Sequence, residues 1–255
     1  MSARKLLSSL LLILSLGGGC AIALPPPREP VNEEAQRVIA LLVARRHEFS
    51  DLRTLADVRV ERGGDTQQLT GALLLKGPAS IRFEGLAPFG QPLLLVTIHE
   101  GQITAYNAVS HKAVVGPATA ETAARLLSLP VDPEDLIGAL AGHAVLPKDL
   151  RVAQILPADA QGPSVELIGA LHRQRVWMDF ATGIVSQIEI TGGRLEARVT
   201  YHRGPDGALT GLDLWAAQGN VTGSVRYRNP VVGAGIDDER FRLTIPAGAS
   251  IERLR

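Results

Sequence analysis

From Leu52 onward the hydrophobic spacing of the chain changes from three-to-four to two, and it stays there for most of the remaining length. Between Leu55 and Arg62, Val58 and Val60 oppose Arg59 and Glu61. Between Ser80 and Gly85, Ile81 and Phe83 oppose Arg82 and Glu84. The alternating runs are cut by turn residues: Gly63-Gly64-Asp65, Gly77-Pro78, Thr182-Gly183, Gly192-Gly193, Gly204-Pro205-Asp206-Gly207 and Gln218-Gly219-Asn220. Such runs bury one face only, and the short turns return each strand beside the last. The pattern predicts an antiparallel meander of about 11–12 strands, the last over Arg240 to Ile245.

Two stretches break the period. Residues 32–49 read as a helix, with Asn32 as cap, Glu33 and Glu34 in the first turn, and Arg45 and Arg46 in the last. Val38, Leu41, Leu42 and Arg45 share one face of it. Residues 118–142 read as two short helices separated by Pro130. Thr119 can cap the first, Asp132-Pro133-Glu134-Asp135 starts the second, and Gly142 ends it. Leu126, Leu127, Leu136 and Leu140 make this hairpin apolar enough to cover an open side of the sheet.

Hydrophobic residues make up 45 % of the chain but aromatics only 4 %, so the core is built from small aliphatic side chains. The strand Pro92 to Glu100 is apolar on both faces and needs two apolar partners. Leu73, Leu75, Ile81, Phe83, Leu93, Leu95, Val176, Met178, Phe180, Leu195, Val199, Leu212 and Leu214 are expected to point inward. Their pattern alone leaves them as cavity lining or ordinary core. If the sheet curves, an incompletely filled interior would hold alkyl chains at roughly 0.8 kcal/mol per buried CH₂.

Other chemistry has little support. The formal charge is zero and no basic face stands out, so no nucleic acid partner is expected. A single cysteine allows no internal disulfide. The six histidines do not stand with other ligands at metal spacing. No nucleophile elbow and no phosphate loop is present, and the chain calls for no catalytic residue, metal or cofactor.

The N-terminus carries an address. Arg4 and Lys5 precede an apolar run from Leu6 to Leu16, then Gly17-Gly18-Gly19 leads to Cys20. This resembles a bacterial lipoprotein signal, with Gly17 where a leucine is common. The resemblance implies removal of residues 1–19, acylation of Cys20 and a membrane held through that lipid. Losing Arg4 and Lys5 from the 26 basic residues leaves 24 against 26 acids, a net charge of −2. Residues 20–31 then form the acylated cysteine and a Pro-rich tether, LPPPREPV over 24–31, that favours an extended chain. Residues 32–255 form one domain.

The order of elements carries a second resemblance. A helix leads into strands; Ser80-Ile81-Arg82-Phe83 precedes the loop Pro88-Phe89-Gly90; the hairpin TAETAARLL…P…PEDLIGALAG follows; Asn229 and Phe241-Arg242-Leu243-Thr244-Ile245-Pro246-Ala247-Gly248 stand near the end. This resembles the LolA/LolB-like lipoprotein carrier and receptor superfamily, its membrane-anchored LolB-like members most. The resemblance implies a mainly β fold with an α lid: a curved antiparallel half-barrel covered by three short helices. It implies a non-catalytic role in accepting or delivering acylated cargo at the periplasmic face of the outer membrane. The partners it implies are acyl chains of lipoproteins or phospholipid, and a periplasmic carrier protein. Phe89, with Leu86 beside it, falls at the position of a membrane-insertion loop. The tryptophan common in the second lid helix of the family is missing here. The alternative is a structural or assembly lipoprotein that docks a protein partner in the envelope.

Overall fold

The computed structural model describes residues 25–127, 131–193 and 195–254; the signal segment, Cys20, and Arg194 at the start of one expected strand lie outside them. Helix α1 (Glu33–Glu48) leads into β1 (Asp51–Arg62), β2 (Asp65–Lys76), β3 (Ser80–Leu86), β4 (Pro92–His99), β5 (Gln102–Asn107) and β6 (Lys112–Pro117). The hairpin α2 (Ala120–Leu127) and α3 (Pro133–Ala141) intervenes. Then come β7 (Leu150–Asp159), β8 (Gly162–Gly169), β9 (Arg173–Met178), β10 (Val185–Thr191), β11 (Ala197–Arg203), β12 (Leu209–Ala216) and β13 (Val221–Val232). A 3-10 turn (Asp238–Phe241) and β14 (Ser250–Arg253) complete the chain.

All fourteen strands belong to one open, curved sheet in the order β14-β6-β5-β4-β3-β2-β1-β13-β12-β11-β10-β9-β8-β7. The meander of β1 to β6 joins that of β7 to β13 through the β1–β13 ladder, Arg62↔Val221 to Leu52↔Val232. Every pairing is antiparallel except β14 with β6. The half-barrel with a helical lid is therefore present, as a fourteen-stranded mixed sheet. Close approach of β2 to β3 helps it coil: Gly71 and Gly85 face each other, and a Cβ at Gly71 would stand 2.3 Å from the Glu84 carbonyl oxygen.

The helices sit on the concave face. Asn32 accepts a hydrogen bond from Ala35 N (2.8 Å), and α1 buries Ala35, Val38 and Leu42 against the sheet. Arg45, on the same stripe, donates to the Thr182 carbonyl (2.6 Å). Thr119 accepts from Thr122 N (3.2 Å) and caps α2. Gly142 ends α3 in the left-handed region, which favours glycine.

The C-terminal stretch departs from the expected strand over Arg240 to Ile245. It lies across the convex face of β2 to β4 instead. Phe241, fully buried, and Ile236 pack on Leu74. Lys76 donates to the Ile236 carbonyl (2.8 Å), and Arg82 to those of Arg240 (2.9 Å) and Arg242 (3.0 Å). Buried Asp51 accepts from Ala234 N and Gly235 N (2.8 and 3.0 Å). Side chains thus satisfy carbonyls that a ladder would otherwise have used. β14, four exposed residues long, is too short to leave a period in the sequence.

Candidate functional site

The strand registers sort the expected lining residues. Leu75↔Ile81↔Ile98 and Leu73↔Phe83↔Val96 share the concave face, as do Val176↔Ile188↔Val199↔Leu214 and Tyr201↔Leu212↔Val225. Leu73, Leu75, Ile81, Val176, Met178, Val199 and Leu212 are buried there; Phe83, Phe180, Leu195 and Leu214 are partly buried in the same clusters. Leu93 and Leu95 do not line it. Leu95 pairs with Glu84 and Tyr106 on the convex face, and Leu93 shares its parity. Because β4 is apolar on both sides, alternation could not decide which side faced inward; the registers place Leu94, Val96 and Ile98 there.

The concavity is also fuller than its aliphatic composition predicts. α1 and the strands β7 to β12 form one cluster around Leu42, Val165, Leu167, Val176 and Met178. α3 and the strands β1 to β5 form a second around Leu75, Ile81, Ile98, Ile103 and Ile137, with Leu126, Leu136 and Leu140 packed against it. Leu140 joins both clusters. The side chain of Leu127 lies outside the described residues. Two surface depressions of about 590 and 300 Å³ occur on the outer side of α1 and the convex side of β11 to β13, away from this interior. The room expected inside is occupied by the chain's own helices, whose side chains reach into the bend of the sheet.

Polar groups under the lid escaped the sequence reading. Tyr227 donates to the Leu140 carbonyl (2.6 Å), tying α3 to β13. Arg203 donates to the carbonyls of Gly142 (3.2 Å) and Val185 (3.3 Å), while its Nε has no partner. The buried hydroxyl of Tyr201 is also unpartnered, and burial pushes its ionisation well above the ordinary phenol range. Such unpaired buried polar atoms are uncommon and weaken the arrangement that contains them. Tyr201 stands at an inward parity of β11, which was the only signal that could have singled it out.

On α3, Asp132 occupies the cap position without a side-chain cap bond. Asp135 stands in the first turn of α3, as read from the sequence, and is half-buried there. Burial first, then Asp132 and Glu134, push its carboxyl up to about 6, against the opposing pull of Lys148 and Arg46. His143, 8 % exposed beside the Phe49 ring, is driven down to about 4 by burial and then by Arg46. Among the described residues no group of three or more His, Cys, Asp or Glu side chains is placed to hold a metal ion. Phe89 stands 92 % exposed at the tip of the β3–β4 turn, with Leu86 half-buried where β3 ends.

No protein-family model and no curated protein matches the sequence. Solved structures do match the fold. A domain from Vibrio parahaemolyticus described as an outer membrane lipoprotein-sorting protein domain superposes with a TM-score of 0.56 at 14 % identity. That match covers 81 % of this chain and 97 % of that one. A LolA superfamily protein from Nitrosomonas europaea gives 0.55 at 12 %, covering 82 % and 97 %. The chain has the LolA-like fold. A DUF1329 family protein from Desulfovibrio piger shares it, with a TM-score of 0.59 at 13 % identity over 84 % of this chain and 98 % of that one. In the LolA-like sheet of this protein, α1 and the α2–α3 hairpin occupy the concave side.

Proposed function

We propose that this is a non-catalytic envelope lipoprotein that binds acyl chains of lipoproteins or phospholipid in its concavity, anchored through lipid on Cys20 at the periplasmic face of the outer membrane. The arrangement described is then the closed form. The observation that carries this reading is the lid itself. An aliphatic half-barrel is covered by a helix hairpin tied by Tyr227 and Arg203 to its backbone and by partly exposed ion pairs of Glu134, Asp132 and Arg125 at its margin, and the polar groups beneath it are incompletely satisfied. Displacing Leu126, Leu136, Ile137 and Leu140 would expose an alkyl-compatible surface of the same chemistry. Opening costs less where buried polar atoms already lack partners. A periplasmic carrier that hands over acylated cargo is the partner this role requires. The sorting description of the Vibrio relative supports the same class of cargo.

Native mass spectrometry of the delipidated full chain tests it. A one-to-one adduct with a triacylated peptide or a diacyl phospholipid is expected, with more uptake by Tyr227→Phe, which unties α3. Absence of any adduct from both proteins overturns the binding role. The filled interior favours a second reading, an assembly or structural lipoprotein that docks a protein partner. A stoichiometric envelope partner combined with no lipid uptake would establish it.

A further inference from the structure

The meander assigns every hairpin turn to one of two rims. Following the ladders from β7 to β14, the starts of β7, β9, β11, β13, β2, β4 and β6 and the ends of β8, β10, β12, β1, β3 and β5 share one rim. Three turns on that rim carry a large apolar side chain at their tip: Phe89 (92 % exposed), Val109 (74 %) and Leu171 (81 %). They are widely spaced along the arc, between β3 and β4, β5 and β6, and β8 and β9. Three separated points define a plane. Two of the tips are followed within three residues by exposed basic residues, Val109 by Lys112 and Leu171 by Arg173, the latter also paired with Glu166 (3.3 Å).

The opposite rim has another character. Four of its turns carry exposed acids, Glu100 (paired with Arg242), Asp159 (paired with Arg175), Asp179 and Asp206, whereas the exposed acids Asp65 and Glu196 of the apolar rim stand at turns other than the three apolar tips. The apolar residues exposed there, Val231 and Val232, belong to the end of β13 and not to a hairpin tip.

The tether leaves the body at the apolar rim. Glu29 N donates to the Arg151 carbonyl (2.9 Å), Arg151 donates to the Pro26 carbonyl (2.9 Å), and Arg28 pairs with Asp149, all at the start of β7. Five residues lie between Cys20 and Pro26, a span of six Cα–Cα steps. A chain of that length reaches about 20 Å at most, so anything attached to Cys20 stays near this rim.

From this coincidence we infer that the rim bearing Phe89, Val109 and Leu171 is a bilayer-docking surface: the three tips enter the interface together, and the basic neighbours meet anionic headgroups. The occupant is a phospholipid surface. Exposed apolar side chains gain by leaving water, and the acidic rim is held away from a negative surface. The body is thereby seated in one orientation and does not swing on its tether. The inference rests on the anchor reading only for the position of Cys20.

The experiment uses vesicles of phosphatidylethanolamine with phosphatidylglycerol. An environment-sensitive fluorophore is attached singly through Phe89→Cys, Val109→Cys, Leu171→Cys, and Ala160→Cys on the acidic rim. Each is placed in the full acylated chain and in a Cys20→Ser chain. Blue-shifted emission is expected at the three apolar tips and aqueous emission at residue 160. Combined F89S, V109S and L171S in the Cys20→Ser chain should lower vesicle partitioning at least tenfold, on the order of the transfer preference of the lost side chains. Tips that stay in water on every vesicle-bound protein, or four labels that report alike, overturn the docking surface. So does recovery of neither chain with vesicles. Equal vesicle recovery of the acylated and Cys20→Ser chains refutes the anchor and leaves the tip labels to decide the rim.

Discussion

Tyr201 and Tyr227 pose the same chemical question with opposite answers. Both phenols are buried on the concave face, both packed among aliphatic side chains. The Tyr227 hydroxyl donates to the Leu140 carbonyl at 2.6 Å, whereas the Tyr201 hydroxyl has no partner. Tyr201→Phe keeps the ring and removes a polar atom that is buried without return. Relief of that burial is worth about 1–3 kcal/mol, less any interaction the hydroxyl makes with Arg203. A net gain of about 1 kcal/mol is expected, which for a domain of this size raises Tm by about 2–4 °C. Tyr227→Phe removes a satisfied donor and leaves the lid carbonyl unpaired, for a loss of about 1 kcal/mol or somewhat more. Urea titrations followed by circular dichroism, with both variants beside the parent, should move the midpoint in opposite directions at constant slope. If Tyr201→Phe destabilises as much as Tyr227→Phe, the hydroxyl of Tyr201 is paired, and the account of a poorly satisfied lid floor is wrong.

Other expectations concern the lid and the bend. Ile137→Ala, at a 2 % exposed position of α3, should lower stability by about 2–5 kcal/mol in the same titration. The raised ionisation of Asp135 means that its neutral form is the one favoured on folding. Its stabilising contribution is complete below the ordinary carboxylate range and is lost as pH rises through about 6. Asp135→Asn should therefore gain on the parent between pH 4 and pH 7.5, and urea midpoints at the two pH values check the sign. Gly71→Ala should cost about 1–3 kcal/mol, because its Cβ would meet the Glu84 backbone and not a flexible side chain. An unchanged midpoint would show that β2 and β3 can separate there without penalty.

Much of the fold was legible because strand identity is a local property. The period of two, the turn residues and the capping positions Asn32 and Thr119 all act within a few residues, and the structure bears them out. The same local rule explains most of the inward set, from Leu73 to Leu214. It failed at Leu93 and Leu95, where both faces of β4 are apolar and only pairing to β3 decides the side.

The sequence by itself determined that the chain must form a long antiparallel meander with aliphatic faces and an apolar helix hairpin, because alternation and turn chemistry leave no other way to bury those residues. Only the tertiary structure decided that α1 and α3 fill the concavity, that Ile236 and Phe241 cover the convex face, and that Tyr201 is left unpaired. It alone gathered Phe89, Val109 and Leu171 on the rim where the tether begins. Those outcomes depend on register, coil and the meeting of segments more than a hundred residues apart, and no local period encodes them.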